Sequence, residues 1–432
     1  MATVRPFQGI LYDPKRVDLS RVVAPPYDVI SPADQRRYYQ QDPHNVVRLI
    51  AGEVRSSDTP EDNKYTRAAG FFQGWLADGI LRQDASPCLY VYRHQFLDPI
   101  SRQTAVRQGI LGAVELEPFG RGVLPHEQTH ARAKADRLSL TRAVEANLSP
   151  VFALYEDPES AVGSIVAPAT AGPPRLSIVG EGGDQHTVWS LNGIDRFQQL
   201  AEVVRASRLY IADGHHRYET ALNFRNKQRS GHPEAPPTAA FNYVLMLLVD
   251  IRDPGLRILP THRLLHDFGR FDAGALVTGL SRRHRLTAWP DRESLLAAMQ
   301  GSTSGHRIGM TLANGARYTV DIEAPQGDDP VSRLDVSVLH DQILARELGL
   351  DMAEVEQERH LSYSRDVDAL LDRVEAGGAQ AAFLLRPPAV SDVVEVAEAG
   401  RLMPQKSTYF FPKPASGIVF NPLGAGLRIG GV

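Results

Sequence analysis

Apolar and polar positions along this chain follow two periods, and its elements are marked where one period gives way to the other. The most informative change lies between Leu209 and Gln228. Leu209-Tyr210-Ile211-Ala212 is a short apolar run of strand type, while Tyr218 to Gln228 has the spacing of a helix. Asp213-Gly214-His215-His216-Arg217 lie between them, so the pattern predicts a strand-to-helix turn there. Helices are also predicted over Tyr65 to Gly79, Ile194 to Ala206, Ala275 to Arg282, Ser294 to Gln300, Val336 to Glu347 and Val390 to Ala399, the last ending at Gly400. Leu89 to Tyr92, Gly109 to Leu116, Asn242 to Val249 and Ala381 to Leu385 read as strands, and the apolar density of Asn242 to Val249 marks it as buried. Ile308 to Leu312 and Tyr318 to Ile322 flank a stretch containing Asn314-Gly315 and form a hairpin.

Punctuation residues divide these elements. Ala24-Pro25-Pro26-Tyr27-Asp28-Val29-Ile30 is a rigid loop, and Ser31 followed by Pro32 opens a helix by the cap-then-proline rule. Ala167 to Pro174, rich in Pro and Gly, is expected to be a linker or long loop. No internal repeat is evident. The mixture gives an α/β class with α+β mixed sheets. At 432 residues the chain should carry two or three domains. We place a first region over 1–165 and a second over 175–432, the latter with an inserted α/β segment around 265–375.

Composition removes several functions. The 43% hydrophobic and 23% charged fractions are those of an ordinary globular protein. A net charge of −4 provides no chain-wide basic field for a polyanion, so nucleic acid is not the expected partner. Cys88 is the only cysteine, which excludes an intramolecular disulfide and any multi-cysteine metal site. Residues 1–30 lack a signal-peptide core and no run has the length of a membrane span, so a cytoplasmic location without membrane attachment is expected. Oligomeric state is left open.

The Asp213 turn is the strongest chemical signal. Gly214 gives backbone freedom, the helix start offers first-turn amides, and His215, His216 and Arg217 add side-chain donors; such a turn favours an anion, and phosphate is the one expected. The alternative is that these polar residues only cap and solvate the helix. Pro125-His126-Glu127-Gln128-Thr129-His130 spells H-E-x-x-H, the zinc-protease pattern. Pro125 sits where a zincin helix would already be running, and Ala131-Arg132-Ala133-Lys134 is not the apolar face that would seat one. The plainer reading is a solvated helix start with Glu127 favouring the dipole. Met403 to Phe410 is loop-like, and its Lys406-Ser407-Thr408 could bind phosphate or carboxylate oxygens. There is no Walker-type phosphate loop.

Taken in order, Pro125-His126-Glu127, then Asp213 to Arg217, then a strand, helix and loop ending in Pro404-Gln405-Lys406-Ser407-Thr408, the chain resembles the free-serine kinases of the ParB/sulfiredoxin-like superfamily. It is also similar, over nearly its whole length, to the domain-of-unknown-function family numbered 1015. That likeness runs through Ala24 to Ser31, Asp136-Arg137-Leu138, Ser149 to Phe152, Ile211 to Leu222, Pro260-Thr261-His262-Arg263 and Met403 to Lys413. The kinase resemblance implies a ParB/sulfiredoxin-like nucleotide-binding core with an additional N-terminal α/β region. It implies Glu127 as the base that takes the acceptor's proton, and Asp213 as a catalytic residue holding Mg²⁺. Gly214, His215, His216 and Arg217 would contact the phosphates of ATP or ADP, and Lys406, Ser407 and Thr408 would form the substrate and phosphate loop. His126 and Arg137 are further candidates. The chain departs from the kinases at Tyr409-Phe410, where they continue with an Arg-His pair. The expected activity is therefore a Mg²⁺-dependent phosphotransferase acting on a small hydroxyl metabolite, with serine first. The alternatives are a phosphatase or nucleotide hydrolase using the same site, or a ParB-like nucleotide-dependent DNA-binding module.

Overall fold

The Leu209–Asp213 strand and the His215–Gly231 helix form where the change of period predicts them. They belong to a computed structural model that describes residues 2–129, 131–301, 305–324, 327–351, 354–355 and 359–430. The chain divides into two compact units: 1–125, 129–256 and 412–432 form the first, while 126–128 and 257–411 form the second.

The first unit is built on a nine-stranded sheet. Its order is Val123–Leu124, Leu209–Asp213, Val151–Tyr155, Tyr243–Asp250, Thr104–Glu115, Leu89–Leu97, Gln185–Leu191 and Leu176–Val179, with Val4–Arg5 paired to the Thr104–Glu115 strand. The sheet is mixed. Leu209–Asp213 runs parallel to Val123–Leu124, and Tyr243–Asp250 parallel to Val151–Tyr155, while Tyr243–Asp250 is antiparallel to Thr104–Glu115. Every residue of Val151–Tyr155 is buried, which is why this strand reads as a continuous apolar run with no alternation. The Ile194–Ala206 helix buries Phe197, Leu200, Ala201 and Val204, an i, i+3, i+4, i+7 stripe, and these four join the main core. Each of the larger side chains contributes roughly 1.5–3 kcal/mol on burial. Ser31 caps the Pro32–Gln41 helix in a reciprocal box with Asp34, as the cap-then-proline pair predicts.

The second unit holds a six-stranded sheet ordered Arg285–Ala288, Arg317–Ile322, His306–Leu312, Ala381–Leu384, His262–Leu265 and Leu361–Ser364. All its pairings are antiparallel. The hairpin expected around Asn314-Gly315 is the His306–Leu312 and Arg317–Ile322 pair, and Gly315 takes a left-handed φ of 85° at its tip. Leu295, Leu370, Leu371, Val374 and Leu384 are among the residues of a separate core.

Two element readings need correction. A helix runs over Ala161–Thr170 with Pro168 inside it, so only 171–174 of the expected linker is irregular. Asp157 starts this helix by accepting the amides of Ala161 and Val162, each at 2.9 Å, and Val162 and Val166 anchor it in the core. Those two contributions outweigh the hydrogen bond that Pro168 removes. The helix read over Val336 to Glu347 is Asp335–Val338 followed by a π-helical stretch, Leu339–Ala345. Among the described residues, no helix is long and apolar enough to cross a membrane.

Candidate functional site

Gly214 shapes the turn in the first unit. Its φ of 95° lies in the left-handed region, and a Cβ there would stand 2.9 Å from Arg217 Nε. The turn lets the chain leave the sheet at Asp213 and enter the helix at His215, bringing the first-turn amides and three donor-bearing side chains to one end of the helix. His215 is buried beside Asp213, and His216 is half-buried in the same turn.

Asp213 and Arg217 are tied to one another. Arg217 donates to Asp213 Oδ2 and to the Pro150 carbonyl, while Lys413 Nζ lies 2.8 Å from Asp213 Oδ1 and also pairs with Asp28. Burial pushes the Asp213 carboxyl up, but Lys413 and then Arg217 outweigh it and hold the group down at about 2. Burial works against the Lys413 charge too, yet Asp213 and then Asp28 raise it above the ordinary lysine value. Arg217, Asp213, Lys413 and Asp28 thus form a line of alternating charge.

Arg137 belongs to a neighbouring cluster. Its guanidinium lies 3.9 Å from the Tyr27 ring centroid, with Nε donating to Asp136 at 2.9 Å and Nη1 to the Ile50 carbonyl at 2.7 Å. Asp136 also accepts from Lys64 at 2.5 Å and from the Tyr65 hydroxyl at 2.8 Å. Burial raises the Asp136 carboxyl, but Arg137 and Lys64 prevail and hold it at about 2. Burial and then Asp136 push Tyr65 up to about 12. Arg137 and Arg217 line one small cavity with Tyr27, Asn147 and Ser149. Its volume of about 50 Å³ has room for one small polar group.

Of the Pro-His-Glu string, His126 and Glu127 belong to the second unit, and they correct the helix-start reading. Glu127 is extended, pairing with Met403 in a parallel bridge, ahead of the Ala131–Val144 helix. His126 is buried, its carbonyl accepts the Met403 amide at 2.8 Å, and its Nε2 is 2.9 Å from Thr408 Oγ1. The string and the C-terminal loop, far apart in sequence, therefore meet. His130 lies outside the described residues. Within the loop the three expected ligands have different settings. Lys406 is exposed with a left-handed φ of 58°, Ser407 is buried and donates to the Pro404 carbonyl, and Thr408 faces His126.

No group of three His, Cys, Asp or Glu among the described residues could hold a metal ion. Asp213, the expected magnesium ligand, already has a cation on each carboxylate oxygen, so the side chains as arranged do not fit a resident Mg²⁺. Lys413, Asp28, Tyr27 and Asp136 were not read as site residues from sequence. All four fall inside strings that carry the family likeness, which was the available signal.

Comparison with known proteins places these residues in a wider setting. A conserved hypothetical protein from Pyrococcus furiosus is similar at 13% identity and a TM-score of 0.32, over 67% of this chain and 87% of that one. A free serine kinase in complex with AMP is similar at 13% identity and a TM-score of 0.33, over 67% of this chain and 83% of that one. A point variant of the free serine kinase in complex with ADP gives a TM-score of 0.34 at 13% identity, over 67% of this chain and 84% of that one. The large subunit of exodeoxyribonuclease 7 from Parvibaculum lavamentivorans is 28% identical over 147 residues, 34% of this chain. The match spans only 29% of that protein. Residues 4–337, which include the Asp213 turn, the Arg137 cluster and Glu127, match the family described as "Protein of unknown function (DUF1015)", and the chain belongs to it.

Proposed function

We propose that this protein is a nucleotide-dependent phosphotransferase, moving a phosphoryl group from a nucleoside di- or triphosphate to the hydroxyl of a small metabolite, free serine being the first candidate. The observation that carries this reading is the left-handed Gly214 turn that feeds a helix start, next to a small cavity lined by Arg137 and Arg217. Phosphoryl transfer depends on positioning and charge neutralisation, and helix-start amides with guanidinium groups supply both. The motif likeness to the free-serine kinases supports the same reading.

In this proposal His215, His216 and Arg217 contact the phosphates, with Gly214 allowing the backbone to approach. Arg217 is braced by Asp213, which in turn is braced by Lys413, so the carboxylate orients the guanidinium. Magnesium, which neutralises charge on the nucleotide's phosphates, would arrive with the nucleotide. The acceptor's hydroxyl oxygen forms a bond to the terminal phosphorus as the bond to the bridging oxygen breaks, and Glu127 takes the hydroxyl proton. Lys406, Ser407 and Thr408 are proposed to meet the acceptor.

Phosphorus NMR of the purified protein with Mg²⁺, ATP or ADP, and serine among a panel of hydroxyl metabolites tests this. A new phosphomonoester signal is the expected result. Inorganic phosphate in its place would convert the reading to a hydrolase, and an unchanged nucleotide spectrum together with no nucleotide binding in calorimetry would sink it.

A further inference from the structure

The second unit contains a cavity of about 310 Å³ whose lining includes Arg263, Arg333, Arg386, His306, Asp335 and Asp392, and which also borders Ser407. The partners of its charged groups are specific. Asp335 accepts from His306 Nδ1 at 2.7 Å and from Arg386 at 3.0 and 3.2 Å. Arg333 pairs with Glu395, and Asp392 accepts the Ala389 amide at 2.8 Å in the box that opens the Val390–Glu398 helix. Arg263 is different. It is 1% exposed, and among the described residues no carboxylate pairs with it. Its guanidinium donates to the carbonyls of Thr261, Gln405 and Lys406, stands 5.1 Å from the Tyr363 ring centroid, and leaves Nε buried with no hydrogen-bond partner.

A buried cation without a counter-charge is costly, and a buried guanidinium N–H without an acceptor adds to that cost. A cavity beside such a group is where the missing anion would sit. From this geometry we infer that the cavity binds a small organic anion, its oxyanion group meeting Arg263. One unmatched guanidinium suits one negative charge, which favours a carboxylate over a phosphate dianion. The acidic side chains on the wall, Asp335 and Asp392, would accept from hydroxyl or ammonium groups elsewhere on the same ligand. A hydroxy- or amino-carboxylate of a few carbons meets each condition, and the volume is at the small end of ligand pockets. The inference concerns the second unit alone and does not require the phosphotransferase reading.

Calorimetry on the full chain with glycerate, and separately with inorganic phosphate, tests it. Glycerate should bind saturably, and Arg263→Met should weaken binding by about tenfold or more, the loss expected for a charge-assisted hydrogen bond. Ala389→Trp, at an exposed position on the cavity wall, keeps Arg263 and fills the mouth, so it should abolish binding in a folded protein. Should Arg263→Met fail to fold, Ala389→Trp decides by itself. Glycerate affinity unchanged in the folded variants, no saturable glycerate binding to the native chain, or binding of phosphate alone overturns the assignment.

Discussion

Asp213 keeps its charge because Lys413 and Arg217 hold it, and Lys413 keeps its own because it stands between two carboxylates. Removing Lys413 would leave a largely buried carboxylate with one partner fewer. Lys413→Met should therefore lower the stability of the protein by about 3–5 kcal/mol, while the pair Lys413→Met and Asp213→Asn should recover part of that loss. A loss in the double variant equal to the sum of the losses in Lys413→Met and Asp213→Asn alone, read by denaturant titration, would show that the two groups are not coupled. The same chemistry sets an acid limit. Asp213 and Asp136 are both held at about 2 in the folded protein, below the ordinary carboxylate value of 3.8. A depressed folded value means the stabilisation is complete above about pH 4 and is lost as the pH falls through about 2, on the order of 2 kcal/mol for each group. Denaturant midpoints taken across that window should fall in the native chain, and fall less steeply in the Lys413→Met and Asp213→Asn pair. Asp213 and Arg217 were legible as site residues, but their pairing with Lys413 and Asp28 was not. Single side chains that meet across long sequence separations carry no local period, and Asp28 and Lys413 look like ordinary surface charges in the sequence.

Elements with a strong period were read well because one apolar stripe decides them. Ile194–Ala206 lies where its pattern places it, and so does the helix that follows Gly214. Ala161–Thr170 was misread because Pro168 and nearby glycines were weighed as breakers, although Asp157 and two buried valines outweigh them. Glu127 was placed on a helix start because a strand-like bridge to Met403 depends on a partner that local sequence does not show. The Gly214 turn, by contrast, has a local cause and makes a local prediction. Gly214→Ala would hold an L-residue at a φ of 95° and bring its Cβ to 2.9 Å from Arg217 Nε. It should cost about 1–2 kcal/mol in stability and, by displacing Arg217, weaken nucleotide binding if the turn holds phosphate. Calorimetry with ADP on folded Gly214→Ala giving native affinity would count against the turn as a phosphate site.

For the whole molecule, class was legible and topology was not. Alternating helix and strand signals gave mixed α/β sheets, but the order of the nine-stranded sheet joins strands distant in sequence, and the second unit interrupts the first between Leu256 and Pro412. Such arrangements follow from tertiary packing, which one sequence does not display. Turnover is also a property of the whole chain, and it provides the test of Glu127. This residue precedes the Ala131–Val144 helix and lies in an extended bridge, so it makes no helix-dipole contribution that glutamine would forfeit. Glu127→Gln keeps the shape and leaves the backbone pairing with Met403 in place, and stability should stay within about 0.5 kcal/mol. An alcohol that attacks phosphorus must lose its proton, and glutamine cannot accept it. If Glu127 is the base, turnover measured by phosphorus NMR should fall by about 10²–10⁴ while the affinity for ADP stays the same. A variant that is equally stable and turns over at the native rate removes Glu127 from the mechanism. Loss of turnover together with loss of ADP affinity would instead assign it to nucleotide binding.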